Sequence, residues 1–157
     1  MVVDFKNLEL SRTDRLSSIF YSCDKIRELK IVNLDTSGIR ILKCMFDGCI
    51  SVEKIDVSCF NTVNVTDIAG MFAHCPKLIS VDLCNFQTDN LKDMACLFYE
   101  CAGLRNIKLY SFKLSDSIDV EDMFYGCDSL KSVQMPKDKL SRDILDCELG
   151  FAGVSIY

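Results

Sequence analysis

The chain has 157 residues, 49% of them hydrophobic, with a net charge of −5 at pH 7 and a sequence pI near 4.9. That length suits one domain with a core of its own. The acidic balance argues against a nucleic-acid backbone as the main ligand, and fits a protein that meets a basic partner or is simply kept soluble by charge.

The first predicted element begins almost at Met1. Val3 and Phe5 are apolar with Asp4 between them, and this alternation predicts a short strand with one buried face. Leu8 follows. Leu16, Ile19 and Phe20 then recur at steps of three and four, which predicts a short helix packed by one face. Cys23 and Ile26 lead into a second strand, Leu29 and Ile31, and the series starts again. Phe-x-x-Cys marks each pass at a constant interval of 26 residues: Phe20–Cys23, Phe46–Cys49, Phe72–Cys75, Phe98–Cys101 and Phe124–Cys127. A fixed period of this size marks a solenoid whose units pack on their neighbours.

Further strands are predicted at Ile55, Val81, Ile107 and Val133. Each has a second inward residue two positions on: Val57, Leu83, Leu109 and Met135. The outward residues between the inward pairs are Asp4, Lys30, Asp56, Asp82, Lys108 and Gln134. Further helical faces are read at Leu42/Met45, Ile68/Met71, Met94/Leu97 and Val120/Met123. Asn64 with Asp67, Asn90 with Asp93 and Asp116 with Asp119 are expected to cap them. Stacking the units makes one core, with rungs ~4.8 Å apart on the strand side. The last unit keeps Val133 and Met135, turns polar from Pro136, and is read as a weak late copy through Ile144, Cys147 and Phe151-Ala-Gly-Val154. A polar, irregular terminal repeat is expected to shield the core edge.

The stretch Ile55-Asp-Val-Ser-Cys-Phe-Asn-Thr-Val-Asn-Val-Thr-Asp-Ile-Ala-Gly-Met-Phe72, with His74-Cys75 and Leu78, resembles the BspA-like leucine-rich repeat of bacterial surface proteins. The next unit, Val81 through Cys101, matches nearly as well. Departures are Leu8, Leu34 and Asp138 at the strand-end Phe, and Leu114 at the turn Thr of the fifth unit. The resulting expectation is an α/β solenoid: a leucine-rich-repeat-like stack of short parallel strands and short helices, about six rungs. It forms a single domain, 1–157, with units starting near 3, 29, 55, 81, 107 and 133 and a C-terminal cap over 133–157. For function the resemblance implies only a protein- or ligand-binding scaffold.

The ten cysteines include no C-x-x-C pair, and the one histidine, His74, adjoins Cys75, so no zinc site is encoded locally. The ladder cysteines are read as small buried apolar groups. Convex elements containing helices stand ~8–10 Å apart, beyond the ~4.4–6.8 Å that a disulfide spans. Reduced thiols imply a reducing compartment. Calcium at the Asp67, Asp93 and Asp119 column is weighed against capping, and capping is preferred. No Ser-His-Asp or Cys-His arrangement and no Gly-rich phosphate loop occurs. The chain is therefore read as a non-enzyme without cofactor or metal.

The outward strand face is the expected recognition surface, through Lys30, Asp56, Ser58, Asp82, Lys108 and Tyr110, with Val32 and Cys84 beside them. Tyr110 is the aromatic anchor. A second candidate patch is Tyr99 and Tyr125, with Tyr21 in the same column and Asp47 and Ala73 interrupting it. No signal-peptide pattern and no apolar run long enough to span a membrane is seen. The favoured function is an intracellular, cytoplasmic protein-binding module of inhibitor, immunity or effector type. The alternative is a fragment of an exported surface adhesin whose signal segment has been removed.

Overall fold

The computed structural model describes residues 1–6 and 8–153. Six strands form one sheet in sequence order: β1 (Val2–Asp4), β2 (Glu28–Val32), β3 (Lys54–Asp56), β4 (Ser80–Asp82), β5 (Asn106–Lys108) and β6 (Ser132–Gln134). All neighbours pair in parallel. The strand predicted in each unit is there: β1 and β3 to β6 centre on the first apolar residue of the pair, and β2 takes in both, Leu29 and Ile31. Leu29, Ile55, Val81, Ile107 and Val133 point into the core, and the residues on either side of them are mostly exposed. β2 to β6 pair in the repeat register, Leu29 opposite Ile55 and Ile107 opposite Val133. β1 is slipped by two, with Val3 opposite Ile31. A two-residue slip keeps inward side chains inward, because side chains alternate with period two.

The convex half of each unit is not helical. Arg15, Ile41, Asp67, Asp93 and Asp119 form a second parallel ladder of single bridges. Beyond it, alternate amides bond to the next rung rather than back along their own segment: Leu42 to the Asp67 carbonyl (2.9 Å), Cys44 to Ala69 (2.9 Å), Phe46 to Met71 (2.9 Å) and Gly48 to Ala73 (3.0 Å). Left-handed residues recur four apart in every unit: Ser18/Ser22, Cys44/Gly48, Gly70/His74, Cys96/Glu100 and Asp122/Gly126. A right-handed helix cannot run through them. Gly48 fits this role at φ +73, where a Cβ would also sit 2.9 Å from the Ser22 hydroxyl below. Asp67, Asp93 and Asp119 accept the amides two residues on, at 2.9–3.0 Å, so they hold turns rather than helix starts. Asn64 and Asn90 instead reach the carbonyls of Ser37 and Val63 in the preceding rung, both at 2.8 Å.

The turn-built rungs stack closer than helices. Phe20, Phe46, Phe72, Phe98 and Phe124 form a column of near-parallel rings, with centroids 5.4–5.9 Å apart. The expected helix-like spacing therefore does not hold on the convex side. The cysteines beside the column are nonetheless free thiols. Cys49, Cys75, Cys101 and Cys127 are buried, and each Sγ donates to a phenylalanine carbonyl of the preceding rung, at 3.0–3.2 Å. Cysteine serves here because it is small and apolar yet carries a weak donor.

A threonine column joins the turns after the strands. Thr62 Oγ1 donates to the Gln87 carbonyl (3.1 Å) and accepts the Gln87 amide (2.7 Å), and Thr36 and Thr88 repeat the pattern. All three are buried. Thr62→Val keeps the shape and leaves both groups of Gln87 without this partner. The expected loss in urea unfolding is ~1–3 kcal/mol. An unchanged midpoint would show that water reaches the turn.

In the fifth unit Leu114 replaces this threonine, and the array ends there. The Leu114 amide donates to Ser141 Oγ at 2.7 Å. Ser141 lies on α1 (Lys139–Phe151), which starts at the Asp138 cap and buries Ser141, Leu145 and Leu149 along one face. The weak sixth copy read over this stretch is thus a 13-residue helix. Its buried residues are not the ones matched to the repeat: Cys147 and Phe151 are exposed. Val154 lies outside the described residues.

Candidate functional site

The outward strand face brings the predicted residues together. Lys30 Nζ lies 3.5 Å from Asp56 Oδ2, and Lys108 Nζ 4.0 Å from Asp82 Oδ2. Opposite charges 26 residues apart in sequence become neighbours because the strands stack in repeat register. Each aspartate also holds the turn leaving its strand: Asp56 Oδ1 accepts the Ser58 amide (3.0 Å) and Asp82 Oδ1 the Cys84 amide (2.9 Å). The Ser58 hydroxyl and amide, with Lys30 beyond them, keep the Asp56 carboxyl below the usual carboxylate range. The Cys84 side chain and amide, assisted by Lys108, do the same for Asp82.

Tyr110 stands in the next rung, 42% exposed, with the Cys84 thiol beside its hydroxyl raising the phenol. Between β3 and β4 the ladder narrows to the single pair Lys54–Ser80. A shallow groove of about 450 Å³ follows this gap, walled by Asp56, Ser58, Asp82, Cys84 and Asn85. The face therefore offers two cross-rung ion pairs, a hydroxyl, a thiol and one exposed aromatic ring around an open cleft. Among the described residues no cluster of His, Cys, Asp and Glu is arranged to hold a metal ion.

On the convex side Tyr99 and Tyr125 stack with centroids 5.1 Å apart. His74 packs its edge on Tyr99, 5.4 Å between centroids, and its Nδ1 lies 2.8 Å from Asp47 Oδ1. The aromatic column breaks at the second and third units, at Asp47 and Ala73, and Ala69, Gly70 and Ala73 leave a groove of about 480 Å³ between Cys44 and Cys96. The sequence reading caught the interruption but not the hollow it makes. It noted the turn threonine only where Leu114 replaces it, and assigned no role to the buried column Thr36, Thr62 and Thr88 at the repeat interval.

These features define a leucine-rich-repeat-like solenoid, a parallel-stranded repeat stack with an open, polar strand face. No helix among the described residues is long and apolar enough to cross a membrane. The chain belongs to the DUF285 family, described as "Mycoplasma protein of unknown function", whose profile matches residues 14–136. Among solved structures it is similar to a leucine-rich repeat protein of T. pallidum (TpLRR), at 18% identity and a TM-score of 0.48, over 99% of this chain and 85% of that one. No curated protein matches the chain.

Proposed function

We propose that the chain is a non-catalytic protein-binding module whose partner docks on the outward strand face through Lys30, Asp56, Ser58, Asp82, Lys108 and Tyr110. The observation that carries this reading is the open cleft between β3 and β4, flanked by polar side chains and by an exposed tyrosine one rung away. Aromatic anchors beside polar groups dominate protein interfaces. The partner is a protein, with no nucleic acid and no cofactor involved. Within the repeat class we assign the chain to the BspA-like subtype, on the match of residues 55–78 and 81–101 to that pattern. We further propose a single domain over 1–157, capped at 133–157, acting in the cytoplasm as an inhibitor, immunity or effector-type protein. The free thiols favour a reducing compartment over an exported adhesin.

Affinity capture with mass spectrometry supplies the partner, and titration calorimetry tests the face. Lys30→Glu with Lys108→Glu spares the aspartates that hold the turns, and is expected to change the association rate and its salt dependence. Tyr110→Ala is expected to cost ~2 kcal/mol or more of binding. If both variants bind like the parent while Tyr99→Ala/Tyr125→Ala abolishes binding, the partner sits on the convex side and the assignment fails.

A further inference from the structure

The charges of the strand face pair off, Lys30 with Asp56 and Lys108 with Asp82. The chain still carries a net charge of −5, and a concentrated share of its carboxylates lies on the convex wall of the third to fifth units. Asp67, Asp93 and Asp119 follow one another along the bridge ladder there. Glu100, Glu121 and Asp122 stand exposed in the same two last rungs. The ion pairs found among the described residues involve none of these carboxylates. Lys92, next to Asp93 in the chain, lines a different groove with Arg40 and Thr66. Groups inside this field respond to it. The Cys96 thiol is raised by burial and then by Asp122, Glu121, Asp119 and Asp93, with no cation opposing them. The Glu148 carboxyl of α1 is raised by burial and then by Asp122, with Glu121 and Asp119 adding to it.

The carboxylates border the hollow of the third unit. Ala69, Gly70 and Ala73 form its floor, Lys43 and Cys44 line its second-unit end, and Asp93, Cys96, Tyr99 and Asp119 line the other. Ala73 holds the position that Tyr21, Tyr99 and Tyr125 hold in their own units, so the hollow opens where the column lacks a ring. Tyr99 walls it with Tyr125 stacked behind, and His74 is held at one side by Asp47. An apolar floor, an aromatic wall and carboxylates at one rim suit a long apolar stem that ends in a cation. The rim selects among cations. Asp93 and Asp119 pair across adjacent rungs, about 4.8 Å apart by strand spacing. Each spends one oxygen on the amide two residues on and keeps the other. A planar guanidinium, with several N–H groups in a fixed fork, spans two such carboxylates and packs on an aromatic ring, where an ammonium is a single point charge.

We propose that this convex hollow is a docking site for an arginine side chain carried by a basic segment of a partner protein. The arginine stem lies over Ala69, Gly70 and Ala73, and its guanidinium meets Asp93 and Asp119 beside Tyr99. Neighbouring basic residues of the segment meet Glu100, Glu121 and Asp122. This contact is separate from the strand face and independent of that reading, since none of its residues lies in the cleft between β3 and β4.

The probe is a short, terminally blocked peptide of alternating arginine and serine, titrated into the full chain by calorimetry at low and at moderate salt. It is expected to bind, and to bind more weakly as salt rises. The lysine counterpart should bind about tenfold more weakly. The citrulline counterpart keeps the shape without the charge and should lose about a hundredfold or more. Asp93→Asn/Asp119→Asn keeps an oxygen for the Ala95 and Glu121 amides, so the turns survive. It is expected to weaken the arginine peptide by about tenfold or more. Ala69→Lys repeats the residue that the second unit carries at Lys43, and should weaken it likewise by setting a resident cation in the hollow. Four outcomes would overturn the proposal. The arginine peptide could fail to bind the parent. The citrulline peptide could bind as well as the arginine one, so that shape alone is read. The lysine peptide could match it, which leaves charge attraction without an arginine site. Both variants could bind like the parent while circular dichroism shows them folded. Tyr110→Ala is expected to leave peptide binding unchanged, so a failed strand-face assignment and a failed convex site give separate results. If Tyr110→Ala weakens the peptide and the aspartate pair does not, the basic segment sits on the strand face and the convex site falls.

Discussion

Truncating Phe72 to alanine is expected to lower the unfolding free energy by ~3–5 kcal/mol, the range for a fully buried aromatic. Phe72 lies at the middle of the ring column, with Phe46 at 5.4 Å and Phe98 at 5.5 Å. The change removes both stacking contacts, each worth ~0.5–1.5 kcal/mol beyond area burial. The cavity cannot close easily, because both neighbouring rungs are bonded backbone to backbone on either side: the Phe46 amide reaches Met71 and the Phe72 amide reaches Leu97. In a stack where each unit leans on its neighbours, the damage should spread along the array. Urea unfolding gives the magnitude, and native-state hydrogen exchange gives the reach. Protection should fall in the second, third and fourth units together. Loss confined to the third unit, or an unchanged midpoint, would show that the rungs do not share one core.

Raising the pH should destabilise the protein steeply once an ordinary thiol begins to ionise. The Cys75 thiol is pushed up by its Cys49 neighbour and by burial, Cys101 by burial, and Cys127 by burial to about 12. In the unfolded chain these groups ionise near ~8.5. Above that value the unfolded state has lost protons that the native state still holds. Stability therefore falls as pH rises from ~8.5 towards 12, and is flat in these groups below it. Each thiol contributes a slope of ~1.4 kcal/mol per pH unit at most, and the Cys49 thiol, pushed down by its bond to Cys75, offsets part of the Cys75 contribution. Urea midpoints at pH 7, 8, 9 and 10 test this, with reductant present throughout. A midpoint that holds steady from pH 8 to 10 would mean that the thiols meet solvent. A parallel thiol titration should find Cys75, Cys101 and Cys127 unreactive in the native protein and all ten cysteines reactive after denaturation.

The strand side of this fold could be read from the sequence because two signals agree there. Period-two alternation at Ile55-Asp-Val57 or Val81-Asp-Leu83 sets the inward face, and the repeat interval stacks those segments in parallel. The convex side was misread for a physical reason. Steps of three and four, such as Leu42, Met45 and Phe46, bury one side of a run of turns as well as one side of a helix. What separates the two is backbone handedness, and nothing in Ser18, Cys44 or Cys96 announces a positive φ. Gly48, Gly70 and Gly126, falling into those two columns, were the available hint. Helix α1 was missed because Ile144 and Cys147 imitate the repeat spacing, while its packed residues are Leu145 and Leu149. At the strand face, the grouping of Lys30, Asp56, Asp82 and Lys108 followed from register. The hold of Asp56 and Asp82 on the Ser58 and Cys84 amides depends on side-chain rotamers, which no column of residue types displays.

Seven of the ten left-handed convex positions carry a side chain rather than glycine. Each such residue works against a backbone preference of roughly 1–2 kcal/mol. The ladder of amides between rungs fixes this conformation without help from the side chains that occupy it. Ser22, Gly48, His74, Glu100 and Gly126 thus stand in one row, four residue types on an unchanging support. The outer wall of the array can be rewritten, one rung at a time, with the core left untouched. A lineage of such chains can diversify its convex surface at a fixed toll in stability, and replacing Glu100 or His74 with glycine gives that stability back.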